Sequence, residues 1–125
     1  MLQAYRLYAF LRDGDNFPIG TGTLVVEMDD TASSHQAEGR FMLFEKRPID
    51  VFIEAQFVFS QHGDKDHIDM IMRSKPVHEE DILLMVGNST DMYSFQGKLS
   101  MGKLFNTYGA YLVLVPRPTF SVRCV

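Results

Sequence analysis

Apolar and polar side chains alternate along most of this chain, and the alternation is cleanest between residues 49 and 60. In this stretch one set of positions is apolar and most of the other set is polar: Ile49, Val51, Ile53, Ala55, Phe57 and Phe59 alternate with Asp50, Phe52, Glu54, Gln56, Val58 and Ser60. Successive side chains of a β-strand point to opposite faces of its sheet, so this pattern buries one face and leaves most of the other in water. Similar stretches recur from residue 2 onwards, and together they predict an all-β fold.

The same pattern divides the chain into eight or nine strands joined by short polar connections. Strands are expected at about 2–12, 21–28, 36–45, 49–60, 67–73, 81–87, 92–99 and 103–115, with a short edge strand at 119–125. Pro18 and Gly20 are assigned to the break before the second strand. Residues 76–86 are also compatible with one short helix, because Pro76 is followed by acidic residues and the run ends at Gly87. A strand is favoured there because its neighbours are all β.

Hairpin-like connections favour a closed, antiparallel up-and-down β-barrel, and the alternative is a two-sheet β-sandwich. Four glycines lie inside strand patterns, where strands bend sharply, and the last is expected at a bulge or a corner: Gly22, Gly39, Gly97 and Gly109. In strand number and spacing the chain resembles calycin-like barrels such as lipocalins and avidins, although it has no tryptophan for the lipocalin Gly-x-Trp signature. Residues 1–125 are expected to form a single domain.

The third and fourth predicted strands allow an argument about their register. Directly opposed residues of an antiparallel pair share a face, so the apolar odd-numbered positions of one strand must pair with those of the other. A three-residue loop at 47–49 satisfies this condition. It predicts three opposed pairs on the second face: Phe44 with Phe52, Met42 with Glu54, and Arg40 with Gln56.

This register collects four polar side chains on one face: Glu38, Arg40, Glu54 and Gln56. On the outside of a barrel they would form ordinary surface ion pairs, each contributing less than about 1 kcal/mol. On the inside they would line a pocket, where a Glu–Arg pair can anchor a polar ligand or assist proton transfer. They are therefore candidate ligand-binding residues.

Arg6 and Tyr8 complete the candidate site. They share a face of the first strand with Leu2, Ala4 and Phe10, and an arginine among apolar side chains needs an anionic partner. The first and eighth strands are apolar on both faces, which predicts a homo-oligomer formed through these strands. A carboxylate of another subunit would then be the partner of Arg6.

The densest cluster of metal-capable groups runs from His62 to Asp69. It departs from the His-x-His-x-Asp-His run of metallo-hydrolases, because Asp64 stands at the second histidine position, and it also fails as a calcium loop. We interpret it as a solvated hairpin turn, so no metal and no cofactor is predicted. His35 and His78 are expected to be exposed in loops.

The net charge is −4, and lysines and arginines form no cluster, which disfavours nucleic acid and anionic membrane surfaces as partners. The single cysteine, Cys124, cannot form an internal disulfide, and this favours a cytoplasmic location. No stretch approaches the roughly 20 apolar residues that span a bilayer.

These observations do not define a reaction, because no catalytic motif is present. The leading hypothesis is a non-enzymatic barrel that binds a small, partly apolar ligand. The alternatives are an isomerase or cyclase in which Glu54 and a tyrosine act inside the barrel, and a bacterial interaction protein of the immunity type. The acidic balance of the chain would suit a basic protein partner in that last case.

Overall fold

Eight strands form one closed antiparallel sheet in the computed structural model, which describes residues 1–12, 15–29, 31–44, 48–75, 83–102 and 106–118. The strands are β1 (Leu2–Leu11), β2 (Pro18–Glu27), β3 (Ser34–Leu43), β4 (Ile49–His62), β5 (Lys65–Lys75), β6 (Leu83–Ser89), β7 (Ser94–Met101) and β8 (Asn106–Pro116). Each strand pairs with the next one along the chain, and β8 pairs with β1. The predicted up-and-down barrel is confirmed, and the sandwich alternative is wrong.

The pairing of β1 with β8 closes the sheet, and it runs from Tyr5 opposite Pro116 to Leu11 opposite Ala110. Closure leaves the described strands without a free edge that another chain could extend. Residues 83–86 belong to β6, so the helix alternative is wrong there. Residues 76–82 and the ninth strand expected at 119–125 lie outside the described residues.

The inward positions of all eight strands fill the barrel with apolar side chains. The largest fully buried ones are Phe41, Phe57, Phe95, Leu7, Leu24, Ile53, Met70, Met72, Leu83, Met85, Leu99 and Leu112. Phe57 on β4 and Phe95 on β7 are three strands apart, yet their ring centroids lie 5.6 Å apart. An eight-stranded barrel is just wide enough for side chains to fill it. The interior is therefore a packed core.

Polar side chains within this core have local partners. His35 is buried on β3, where its Nδ1 accepts a hydrogen bond from the Asp29 amide at 3.2 Å. Its ring meets Phe59 edge to face, with centroids 4.7 Å apart. The expectation of an exposed loop histidine is therefore wrong, because His35 occupies an inward position of a strand that begins earlier than predicted.

The second strand also begins earlier than predicted. Phe10 is opposite Pro18 and Ala9 is opposite Gly20, so Ile19 is an extra residue that forms a bulge. Pro18 has no backbone N–H to donate to a neighbouring strand, and this is tolerated because it is the first residue of β2. The bulge turns Ile19 into the core, where it is buried.

The predicted pairing of β3 with β4 has the correct faces but the wrong register. Arg40 is opposite Phe52, Glu38 is opposite Glu54 and Gln36 is opposite Gln56, because the connection spans residues 44–48. A shift of four residues leaves every side chain on its predicted face, so the alternation of apolar residues does not exclude it. The observed register places Arg40 beside a carboxylate, with its Nη2 2.7 Å from Oδ2 of Asp50.

Glycines permit two tight strand pairs on opposite sides of the barrel. A Cβ on Gly22 of β2 would overlap the carbonyl oxygen of Arg40, and one on Gly39 of β3 would overlap that of Thr23. The same holds at β6–β7, where a Cβ on Gly97 would overlap the Val86 carbonyl oxygen. Gly109 differs, since it continues the regular β7–β8 register and meets only the Arg12 side chain; the bulge expected there is wrong.

We predict that Gly39→Ala destabilises the barrel by about 3 kcal/mol or more, because the overlap is with rigid backbone. Gly109→Ala is the matched control, and its free energy of unfolding should change by less than about 0.5 kcal/mol, since the new methyl group lies 3.4 Å from a flexible side chain. Urea unfolding followed by circular dichroism measures both. Equal effects of the two substitutions would contradict this account of the tight pairs.

The turns at one end of the barrel are held by local features. Gly63 has φ +67° at the first central position of the two-residue turn between His62 and Lys65, as a type II′ hairpin requires. Between β6 and β7, Oδ1 of Asp91 accepts hydrogen bonds from the amides of Tyr93 (2.9 Å) and Ser94 (3.2 Å). These bonds lower the pKa of Asp91, the Tyr93 amide having the largest effect.

We predict that Asp91→Ala lowers the free energy of unfolding by about 1 kcal/mol at pH 7, since exposed hydrogen bonds to a charged acceptor contribute about that much. The pKa of Asp91 is lowered on folding, so its contribution is present above the unfolded value and is lost as the pH falls through the folded value. The difference between wild type and variant should therefore shrink in acid. Chemical unfolding at pH 7 and below pH 3.8, the ordinary value for aspartate, measures it, and a difference that grows in acid would refute the assignment.

Candidate functional site

All six candidate residues lie on the outer face of the barrel, and none of them is buried. The alternative in which the polar side chains line a pocket inside the barrel is therefore wrong, and Glu54 does not face the interior. The reason is that the odd-numbered apolar positions of β3 and β4 take the inside, which leaves the even-numbered polar ones to water. On the outside the six residues separate into two groups.

The first group surrounds Lys75 at the end of β5. Nζ of Lys75 donates a hydrogen bond to Oε1 of Glu38 at 3.2 Å and lies 3.8 Å from Oε2 of Glu54. Lys75 thus sits between two carboxylates that the β3–β4 register places directly opposite one another. Gln56 stands apart, donating from Nε2 to Oγ of Ser34 at 2.9 Å. This group is an ordinary exposed surface network.

We predict that Glu54→Gln changes the free energy of unfolding by less than about 0.5 kcal/mol, since it removes one exposed ion pair and one like-charge opposition together. Thermal or urea unfolding of the variant beside wild type measures the change. A loss of more than 2 kcal/mol would show that Glu54 has a structural role that its exposed position does not account for.

The second group is centred on Arg6 and Arg40. Thr23 of β2 is opposite Arg6 on β1 and opposite Arg40 on β3, so a short side chain stands between two long ones. This difference in length leaves a hollow of about 340 Å³ on the outer surface. Most of its lining residues are of polar type, and they include a third arginine: Arg6, Thr21, Gly22, Thr23, Arg40, Met42, Asp50 and Arg117. We call this hollow the cationic groove.

Two hydrogen bonds, one from a side chain, fix the backbone of Arg117 at the edge of the cationic groove. Its amide donates to the Ala4 carbonyl at 2.8 Å, and its own carbonyl accepts from Nε2 of Gln3 at 3.1 Å. The bond from the Arg117 amide to Ala4 continues the β1–β8 pairing by one step beyond the end of β8. Sequence reasoning missed Arg117, because only closure of the barrel brings the end of the chain beside β1.

The cationic groove has an excess of positive charge, although the protein is acidic overall. Arg40 is paired with Asp50, and its guanidinium carbon lies 5.2 Å from the centroid of the Phe52 ring. Within the described residues, the side chains of Arg6 and Arg117 form no hydrogen bond or ion pair. The lining of the groove therefore holds three guanidinium groups and one carboxylate, which is paired with Arg40 alone.

Tyr8 lies beside the cationic groove rather than in its lining. It is half-buried on the outer face of β1, opposite Thr21 on one side and Val113 on the other. The outer face of β1 and β8 also holds aromatic side chains: Phe10 is opposite Tyr111, and the guanidinium carbon of Arg12 lies 5.8 Å from the centroid of the Tyr111 ring. Association of copies through this face stays a prediction.

The histidine-rich hairpin between β4 and β5 has a simpler arrangement. The rings of His62 and His67 stack with centroids 4.3 Å apart, and Nε2 of His67 lies 2.9 Å from Oδ1 of Asp69. In the part of the chain that the structure describes, no three or more His, Cys, Asp or Glu side chains are placed to hold a metal ion. His78 and Cys124 lie outside the described residues.

Buried titratable groups are few in the described core. Burial raises the pKa of Tyr5, and the nearby Tyr93 contributes to the increase.

The part of the chain that the structure describes contains no helix long and apolar enough to cross a bilayer. The expected cytoplasmic location and the expected absence of nucleic acid as a partner stay predictions.

The comparisons with known proteins add no relative to this description. No protein-family model matches the chain, and no curated protein or solved structure matches it significantly. The fold and the groove together define its class: a small, closed, eight-stranded antiparallel barrel with a filled interior and an arginine-lined hollow on its outer face.

Proposed function

We propose that this protein is a non-enzymatic binding protein whose ligand is a small, partly apolar anion held in the cationic groove. The observation that supports this most strongly is the pair of guanidinium groups, Arg6 and Arg117, that line one hollow without an anionic partner among the described residues. The ligand site is placed on the outer face because buried side chains occupy the interior space that a ligand would need.

An anion in the groove would satisfy groups that are otherwise in electrostatic conflict. Arg6, Arg40 and Arg117 repel one another, and a carboxylate or phosphate between them replaces repulsion by charge-assisted hydrogen bonds. The planar guanidinium group suits these anions, since its N–H groups match two oxygens at once. Met42, which is exposed in the same lining, supports an apolar portion of the ligand.

Binding is proposed in preference to catalysis because the groove contains little that can move a proton. Its carboxylate, Asp50, is already engaged by Arg40 at 2.7 Å. The hydroxyl of Thr21 donates to the Leu7 carbonyl at 2.9 Å, so its proton is committed to the backbone. The isomerase or cyclase alternative requires Glu54 inside the barrel, whereas Glu54 lies on the outer face.

Titration with inorganic phosphate at constant ionic strength tests the proposal, with amide and arginine side-chain signals followed by NMR. Signals of Arg6, Thr23, Arg40 and Arg117 should shift together and saturate. Arg6→Gln and Arg117→Gln should each weaken binding about 5- to 10-fold, as expected for the loss of one charge-assisted contact near the surface.

Arg73→Gln is the matched control, because it removes another exposed arginine, on β5, that does not line the groove. Its phosphate affinity should equal that of wild type. The proposal would be overturned if phosphate failed to bind, or if the Arg6→Gln/Arg117→Gln double variant bound it as well as the Arg73→Gln variant.

A further inference from the structure

A second hollow, of about 580 Å³, adjoins the cationic groove on the same outer face. Its lining is more apolar than that of the groove: Val25, Glu38, Gly39, Arg40, Phe52, Ile53 and Lys75. Phe52 and Val25 are 54% and 42% exposed, so two apolar side chains stand open to water there. Arg40 lines both hollows and forms the boundary between them.

The two hollows follow one line across four strands. Arg6, Thr23, Arg40 and Phe52 are opposed in turn from β1 to β4. Neighbouring strands lie about 4.8 Å apart, so Thr23, above which an anion would sit, is about 10 Å from Phe52 along this line. A single small molecule is long enough to occupy both hollows.

At the boundary between the two hollows, Arg40 and Phe52 together offer a surface on which a planar group can stack. The guanidinium group of Arg40 lies against the Phe52 ring and is held in that orientation by Asp50. Guanidinium planes and aromatic faces both stack favourably on aromatic rings. A planar ring placed here would contact Arg40 and Phe52 together, which a saturated ring of the same length does less well.

The lysine on the far side of the second hollow is already paired. Nζ of Lys75 lies 3.2 Å from Oε1 of Glu38 and 3.8 Å from Oε2 of Glu54. Arg6 and Arg117 in the cationic groove have no such partner among the described residues. The anionic end of the ligand is therefore assigned to the groove.

We infer that the ligand is an anion that carries a planar aromatic group, with the anion among Arg6, Arg40 and Arg117 and the ring against Phe52 and Val25. This inference rests on the proposed function and names the chemical class of the ligand. It is carried by Arg40, which lines both hollows, and by the position of its guanidinium group over the Phe52 ring.

Three probes test it at constant ionic strength: inorganic phosphate, 2-naphthyl phosphate and its saturated counterpart, decahydro-2-naphthyl phosphate. NMR titration should show 2-naphthyl phosphate binding about 10-fold more tightly than phosphate, with additional shifts at Val25 and Phe52, because a ring stacked on an aromatic side chain adds to the affinity. The saturated probe should bind more weakly than the aromatic one.

Phe52→Leu should remove most of the advantage that 2-naphthyl phosphate has over inorganic phosphate, with both affinities measured on the same variant. Phe44→Leu is the matched control, since Phe44 is similarly exposed but lines neither hollow, and it should behave as wild type. Both substitutions lie on the surface, so the barrel itself should remain intact.

The outcomes separate this inference from the proposed function. Phosphate that fails to bind overturns the proposed function. Phosphate that binds while 2-naphthyl phosphate gains nothing, or gains no more than the saturated probe, overturns the aromatic class and leaves anion binding in place. An advantage that survives Phe52→Leu also overturns the placement of the ring.

Discussion

The hydrogen-bonded pairing of β1 with β8 is the interaction on which the rest of the structure depends. It turns a row of hairpins into a closed surface with one inside and one outside. Eight strands enclose a space that large side chains fill, as the contact between Phe57 and Phe95 shows. Chemistry that needs water or a ligand must then use the outer face. The same pairing brings Arg117 beside β1 and completes the cationic groove.

The outer face acquires its shape from differences in side-chain length along rows of opposed residues. A β-sheet presents its side chains at regular intervals, so a short residue between two long ones leaves a depression. Thr23 between Arg6 and Arg40 is such a case. Gly22 and Gly39 let β2 and β3 approach closely beneath this region, and their backbones form part of the floors of the two hollows.

Much of this architecture could be predicted from the alternation of apolar residues, but the contacts could not. The pattern at 49–60 identifies the buried face of β4 because burial distinguishes odd from even positions. It does not distinguish registers that differ by an even number of residues, so the partners of Arg40 and Glu54 were misplaced by four positions. The bulge at Ile19 and the inward position of His35 depend on where β2 and β3 begin. Residues typical of turns, such as Pro18, place these starts too late in a sequence-based prediction.

The candidate site was foreseeable in the same partial way. Arg6 stood out as a charge among apolar neighbours, and it does line the groove. Its companion Arg117 had no local signal, because the two residues lie at opposite ends of the chain. Asp50 and Phe52 contact Arg40 because the connection between β3 and β4 spans residues 44–48 and sets their register. The alternation of apolar residues does not determine the length of this connection.

The meander has a consequence for the order in which the barrel assembles. Seven of its eight pairings join strands that follow one another along the chain, and the pairing of β1 with β8 joins strands about 100 residues apart. Local hairpins can form quickly, whereas the pairing of β1 with β8 carries the loop-closure entropy of the roughly 100 residues between them. A circular permutant opened at the Gly63–Asp64 turn, with its original ends joined, would make this pairing local and transfer the slow closure to β4 and β5.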